Sequence, residues 1–238
     1  MDSAATSDLS ALCFGADDPR ALALFWAEFL GREVGADLVV APGDEGGLRL
    51  RFVAARGPKA GPNQMHFDLT SASPREQERT VARALALGAR HIDVGQLPEE
   101  GHVVLADPEG NEFCVIEAGN AFLAGCGFIG AVSSDGSRAV GCFWAAALGW
   151  PLVWDQGEET AIQSPAGGTK ITWGGPPVAP KTGVNRLFLE LVAPAGGDWR
   201  AEVERLAGLG AARVTDGDGF VDLLDPDGNE FRLLTGLS

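Results

Sequence analysis

Six polar residues stand at spacings that suit the recognition of a small molecule. Arg49 and Arg51, His66 and Asp68, and Glu112 and Cys114 each lie two apart in runs that read as strands. Residues two apart on a strand share a face. The guanidiniums offer charge-assisted contacts to carboxylate or phosphate, and the imidazole, carboxylates and thiol add hydrogen bonds or metal donor atoms. Arg49, Arg51, His66, Glu112 and Cys114 together suit an anionic or hydrogen-bonding small molecule. The alternative for the two arginines is a solvated outer sheet face paired with surface acids. Other chemistries have no constellation here. Ser71 and Ser133-Ser134 lack a His or Asp pattern, no Gly-x-Ser-x-Gly elbow occurs, and Gly174-Gly175-Pro176-Pro177 lacks the Lys-Ser/Thr ending of a phosphate loop.

The elements that must position these residues come in a repeat. Asp107-Pro108-Glu109-Gly110-Asn111-Glu112-Phe113 returns as Asp225-Pro226-Asp227-Gly228-Asn229-Glu230-Phe231, and Phe25-Trp26 and Leu30-Gly31 return as Phe143-Trp144 and Leu148-Gly149. The chain is a tandem duplication. In the first half, Leu9 to Ala16 reads as a strand. Asp17-Asp18-Pro19 caps a helix carrying Leu22, Phe25, Trp26 and Phe29, which Gly31 stops. Val34 to Val40 and Leu48 to Ala54 read as strands, then Met65 to Leu69. A helix follows over 75–87, then strands over 90–94, 102–106 and 112–117. The second half repeats this with strands near 128–132, 152–154, 169–173 and 187–192, a helix over 198–209, and strands to Leu234. Two domains, 1–118 and 124–238, are expected.

Composition bounds the partners. The net charge of −15 and pI near 4.5 exclude nucleic acid and anionic membrane surfaces as partners, since both need clustered Lys and Arg. Cys13, Cys114, Cys126 and Cys142 show no CxxC pair and no zinc spacing, and residues 1–8 do not resemble a signal peptide. The expected setting is the cytoplasm, with a small-molecule ligand and a monomer or homodimer.

The helix ending Phe-Trp-x-x-x-Leu-Gly, the strand Gln64-Met65-His66-Phe67-Asp68-Leu69 and the closing Asp-Pro-x-Gly-Asn-Glu-Phe hairpin together resemble the glyoxalase/bleomycin-resistance/extradiol-dioxygenase superfamily, also called vicinal oxygen chelate proteins. The resemblance implies an α+β fold of four βαβββ units forming two curled mixed-sheet cups with helices outside and a ligand held inside. It leaves the reaction open, because the fold hosts isomerases, dioxygenases and metal-free drug-binding proteins. Its metal enzymes take a ligand, often His, from a unit's first strand and a Glu seven residues after the Asp of the closing turn. The corresponding residues here are Ala11, Ile129, His66 and Phe188 on first strands, with Cys114 and Arg232 on closing strands. His66 is the one candidate metal ligand, with Cys114, Glu112 or Cys13 as its possible partners, so no catalytic metal is expected.

Supposing the faces converge, the first cup is polar, with Arg49, Arg51, His66, Glu112 and Cys114. The second, with Trp154, Ile171, Trp173 and Phe188, is either a flat-ring ligand site or a filled core. The expected function is metal-free binding of a small organic ligand, for resistance, sequestration or a cofactor-free transformation. The alternative is a divalent-metal lyase, isomerase or dioxygenase acting in the first cup through His66.

Overall fold

The computed structural model describes residues 6–43, 47–97 and 99–236. The turn residues set the helix ends. Asp18 caps α1 (Pro19–Leu30), its carboxylate accepting the Ala21 N–H at 3.0 Å, and Gly31 closes the helix at φ 68°. Ser73 caps α2 (Pro74–Ala86) through the Glu76 N–H, while the Glu76 carboxylate returns to the Ala72 N–H. α3 (Arg138–Leu148) ends at Gly149 with φ 65°, and α4 (Trp199–Leu209) starts after Asp198.

The strands of the first half are β1 (Asp8–Ala16), β2 (Val39–Val40), β3 (Leu50–Ala54), β4 (Met65–Leu69), β5 (Arg90–His91), β6 (Val103–Ala106) and β7 (Glu112–Val115). Those of the second are β8 (Ile129–Ser134), β9 (Leu152–Gln156), β10 (Glu159–Gln163), β11 (Lys170–Trp173), β12 (Leu187–Val192), β13 (Ala212–Gly217), β14 (Phe220–Leu224) and β15 (Glu230–Leu234). The strand expected over 34–40 shrinks to β2 and a single bridge from Val34 to Val40, because the chain doubles back through the Gly35 N–H to Val39 carbonyl bond. β10 has no counterpart in the sequence reading: Glu-Thr-Ala-Ile-Gln follows the Gly157-Glu158 turn without a clear alternation.

Two mixed sheets result. Sheet I has the order β13-β14-β15-β12-β1-β3-β2, and sheet II the order β5-β6-β7-β4-β8-β11-β10-β9. Each sheet therefore takes one unit from each half, joined antiparallel at β1–β12 and at β4–β8. This corrects the expectation of one complete cup per half. The physical reason lies in the core. Trp26 of α1 packs on Phe14 of sheet I and on Phe67 and Phe113 of sheet II, with ring centroids 5.6, 5.3 and 5.3 Å away. The two units of a half thus stand back to back around a helix, and the open first-strand edge of each is satisfied by the other half. In the mirrored contact, Trp144 of α3 lies 5.0 Å from the Phe231 ring.

The repeated hairpin motif is explained by the same core. The Asp107 carboxylate accepts the Trp26 indole N–H at 3.1 Å and the backbone N–H groups of Glu109 and Asn111 at 2.9 Å. Asp225 does the same for Trp144, Asp227 and Asn229. Burial raises both carboxyls above the usual range against these donors, Asp225 to about 6. The residue after the proline, Glu109 or Asp227, reaches the start of the helix of the neighbouring unit, accepting from Asp17 and Asp18 in one half and Ser137 in the other. The motif is a staple between hairpin and helix.

Candidate functional site

Strand register makes the two concave faces, turned away from α1 and α3, directly comparable. In sheet II, His66 stands opposite Ser133, Asp68 opposite Ala131 and beside Cys114, and Ser133 beside Thr172. In sheet I the same places hold Phe188 opposite Cys13, Glu190 opposite Ala11 and beside Arg232, and Cys13 beside Arg51. Ala11 thus corresponds to Ala131. Ile129, the position expected from the helix alignment, packs in the core between the sheets.

The face of sheet I is filled by ion pairs. Glu190, its side chain 3% exposed, accepts from Arg51 Nε at 3.0 Å and Ser10 Oγ at 3.2 Å. Asp222, at 7%, accepts from Arg56 at 2.9 Å and Arg232 Nε at 3.0 Å. The Arg232 guanidinium lies 3.4 Å from the Phe220 ring centroid and, like Arg56, over Phe188. Burial, reinforced by the Glu190 carboxylate, pushes the Cys13 thiol well up. Arg51 and Arg56 come from the first half and Glu190 and Asp222 from the second, so these pairs bind the halves together.

The face of sheet II is open. A cleft of about 470 Å³ is bordered by His66, Asp135 and Glu159 on its polar side and by Phe122, Trp154 and Trp173 on its aromatic side. His66 Nε2 lies 3.5 Å from Asp68 Oδ1, and the Ser133 hydroxyl donates to the other Asp68 oxygen. Burial works against the imidazolium, but the Asp68 carboxylate and the Cys114 sulfur outweigh it and raise His66 to about 10. Burial also raises Asp135, with His66 pulling it back. Phe122 belongs to the segment joining the halves. Its carbonyl accepts from Lys170 Nζ, which also sits 4.7 Å from its ring, and the ring meets Trp154 edge-on at 5.9 Å. Leu123 packs on Cys114, Ile116 and Ala131. The connecting segment therefore lies within this cup, and a second cleft of about 340 Å³, bordered by Thr70, Ser71 and Ile116, opens on its far side.

The polar set expected in one cup is thus divided. His66 and Cys114 share sheet II with Trp154 and Trp173, whereas Arg51 belongs to sheet I, paired with Glu190. Arg49 precedes β3 and lines a different cleft of about 320 Å³ beside Trp150 and Ser164. Glu112 sits at the end of the cup, engaged by Lys59 at 2.7 Å and the Asn63 N–H, just as Glu230 is held by Lys181 and the Asn185 N–H. It fastens the crossover between units. Ile171 and Trp173 face α3, and Trp173 is 1% exposed, so only its border reaches the cleft. Sequence reasoning missed Phe122, Asp135 and Glu159. Glu159 opens the unassigned strand β10, and Phe122 was counted as linker.

The sequence profile of the Glyoxalase-like domain family matches residues 11–116 and again 131–234. The chain belongs to this family. No curated protein sequence matches it. Its fold is similar to that of glyoxalase I from Zea mays, with a TM-score of 0.64 at 13% identity over 96% of this chain and 92% of that one. A putative dioxygenase from Bacillus subtilis gives a TM-score of 0.62 at 14% identity over 98% and 86%. At such identities the likeness concerns the fold alone.

The metal that the glyoxalase resemblance implies meets different residues in the two cups. In sheet I the places of His66, Asp68 and Cys114 hold Phe188, Glu190 and Arg232; Phe188 and Arg232 offer a cation no donor atom and Glu190 is already paired with Arg51, so the group does not fit there. In sheet II, His66, Asp68 and Cys114 bring one nitrogen, one oxygen and one sulfur within 4.8 Å of one another. That donor set fits a borderline-soft divalent ion with a further position left open. Of the partners expected for His66 from sequence, Cys114 is present, while Glu112 is engaged elsewhere and Cys13 is on the other sheet.

Proposed function

We propose that this glyoxalase-like protein binds a small organic molecule in the cleft of sheet II. One observation carries the reading: the cleft joins two aromatic groups, the half-buried Phe122 and the exposed Trp154, to the His66 and Asp135 polar wall in a space of about 470 Å³, a size suited to a metabolite. The filled face of sheet I supports the same choice, since its guanidiniums already have carboxylate partners. Binding serves sequestration or a transformation run by the cleft residues, in a cytoplasmic monomer or homodimer. No helix among the described residues is long and apolar enough to cross a membrane. The test is a thermal-shift screen of aromatic metabolites, followed by calorimetry with Trp154→Ala and Arg51→Ala. Binding is expected to fall with the first and to persist with the second. Loss with Arg51→Ala alone, in a folded protein, would move the site to sheet I.

A second reading is favoured by the His66, Asp68 and Cys114 donor set. In it His66, Asp68 and Cys114 would hold a divalent metal, which would supply Lewis-acid chemistry of the kind a lyase, isomerase or dioxygenase uses. Elemental analysis separates the two: one equivalent of zinc, nickel, iron or manganese that disappears in His66→Ala supports the enzyme.

A further inference from the structure

We infer that the sheet II cleft selects an organic cation, an amine or related group carried on a flat apolar body. This rests on the cleft being the binding site and names the class of its ligand.

Charge is the first ground. The titratable groups at the cleft are His66, Asp135 and Glu159, with Asp68 behind His66. His66 and Asp68 lie 3.5 Å apart and engage each other. Asp135 and Glu159 remain, and among the described residues neither forms an ion pair. Among the described residues no arginine or lysine borders the space. Lys170 is committed to the Phe122 carbonyl and ring, and Arg138 is held by Asp155 at 2.6 Å. A cleft with two unneutralised carboxylates and low-dielectric walls concentrates positive charge and repels anions.

The second ground is the aromatic wall. The Trp154 side of the cleft and the Phe122 ring present π-faces or edges to the same space, and aromatic faces favour cations over anions. Trp154 is 37% exposed, which leaves its ring available to a ligand.

Three probes sharing one ring system decide the point: tryptamine, its neutral alcohol tryptophol, and indole-3-propionate. Calorimetry against the full chain is expected to give tryptamine roughly tenfold tighter than tryptophol, with indole-3-propionate weakest. In the double variant Asp135→Asn, Glu159→Gln, with an unchanged melting temperature as the check on folding, the three affinities should converge to within about threefold. Equal affinities in the parent protein, or a preference for indole-3-propionate, overturn the cation assignment while leaving a binding cleft. Failure of all three to bind overturns the binding reading itself.

Discussion

The two concave faces share one backbone plan and have diverged into opposite solutions. Where sheet II has His66, Asp68, Cys114 and Ser133, sheet I has Phe188, Glu190, Arg232 and Cys13 in the same register. Sheet I turns its polar groups on one another: the buried carboxylates Glu190 and Asp222 are met by Arg51 and Arg56 from across the joint, and Asp222 also by Arg232 of its own half. Sheet II leaves part of its polar set unpaired around a cavity. Buried, mutually satisfied charge specifies how parts fit together, while partly satisfied charge beside a cavity is available to a ligand.

Breaking sheet I gives the largest expected effect. Glu190→Ala strands the Arg51 guanidinium and removes the acceptor of Ser10, so thermal or urea unfolding should show a loss of about 3–5 kcal/mol. Cleft binding in sheet II should survive in whatever fraction stays folded. An unchanged melting temperature would mean that the ion pairs are ornaments of an otherwise apolar joint.

Next come the staples shared by both faces. Trp26→Phe and Trp144→Phe each remove an indole N–H from a buried carboxylate, and each should cost about 1–3 kcal/mol. Near-equal values would sharpen the comparison by showing that divergence is confined to the concave faces.

Trp154→Ala should be smaller still in stability, under about 1 kcal/mol for a side chain this exposed, while abolishing most of the binding. A large stability loss with intact binding would assign Trp154 to the fold.

The last effect is one of pH. Asp225 is raised to about 6 in the fold against about 4 in the unfolded chain, so folding favours its protonated form. Its contribution is present below about pH 4 and is lost as pH rises through about 6, and Asp225→Asn should flatten that part of the stability profile.

Much of this architecture was legible in the sequence. The duplicated hairpin, the Asp18-Pro19 and Ser73-Pro74 starts and the Gly31 and Gly149 stops are local signals, and local signals survive any tertiary arrangement. The departure of Phe188 and Arg232 from the superfamily's usual His and Glu was read by counting along the repeat. Which faces converge was not. Arg51 and His66 are fifteen residues apart yet belong to different sheets, and His66 and Trp154 come from different halves yet border one cleft. Sequence spacing records neighbours along a chain, whereas the pairing of β4 with β8 is decided by the open edges that the shared helix core leaves behind. Asp135 and Phe122 lay in segments read as connections, where no periodicity announces an inward side chain.

The joining segment has one more implication. β7 and β8, which it connects, both belong to sheet II, while their counterparts β15 and β1 in sheet I are not consecutive in the chain. Two separate copies of such a half, paired about a twofold axis, would own identical faces. Fusing them end to start breaks that symmetry, because the tether must run through one face and cannot run through the other. Phe122 and Leu123 are that tether, so the covalent act of duplication itself furnished one cup with a wall that selection could shape and left the other free to close.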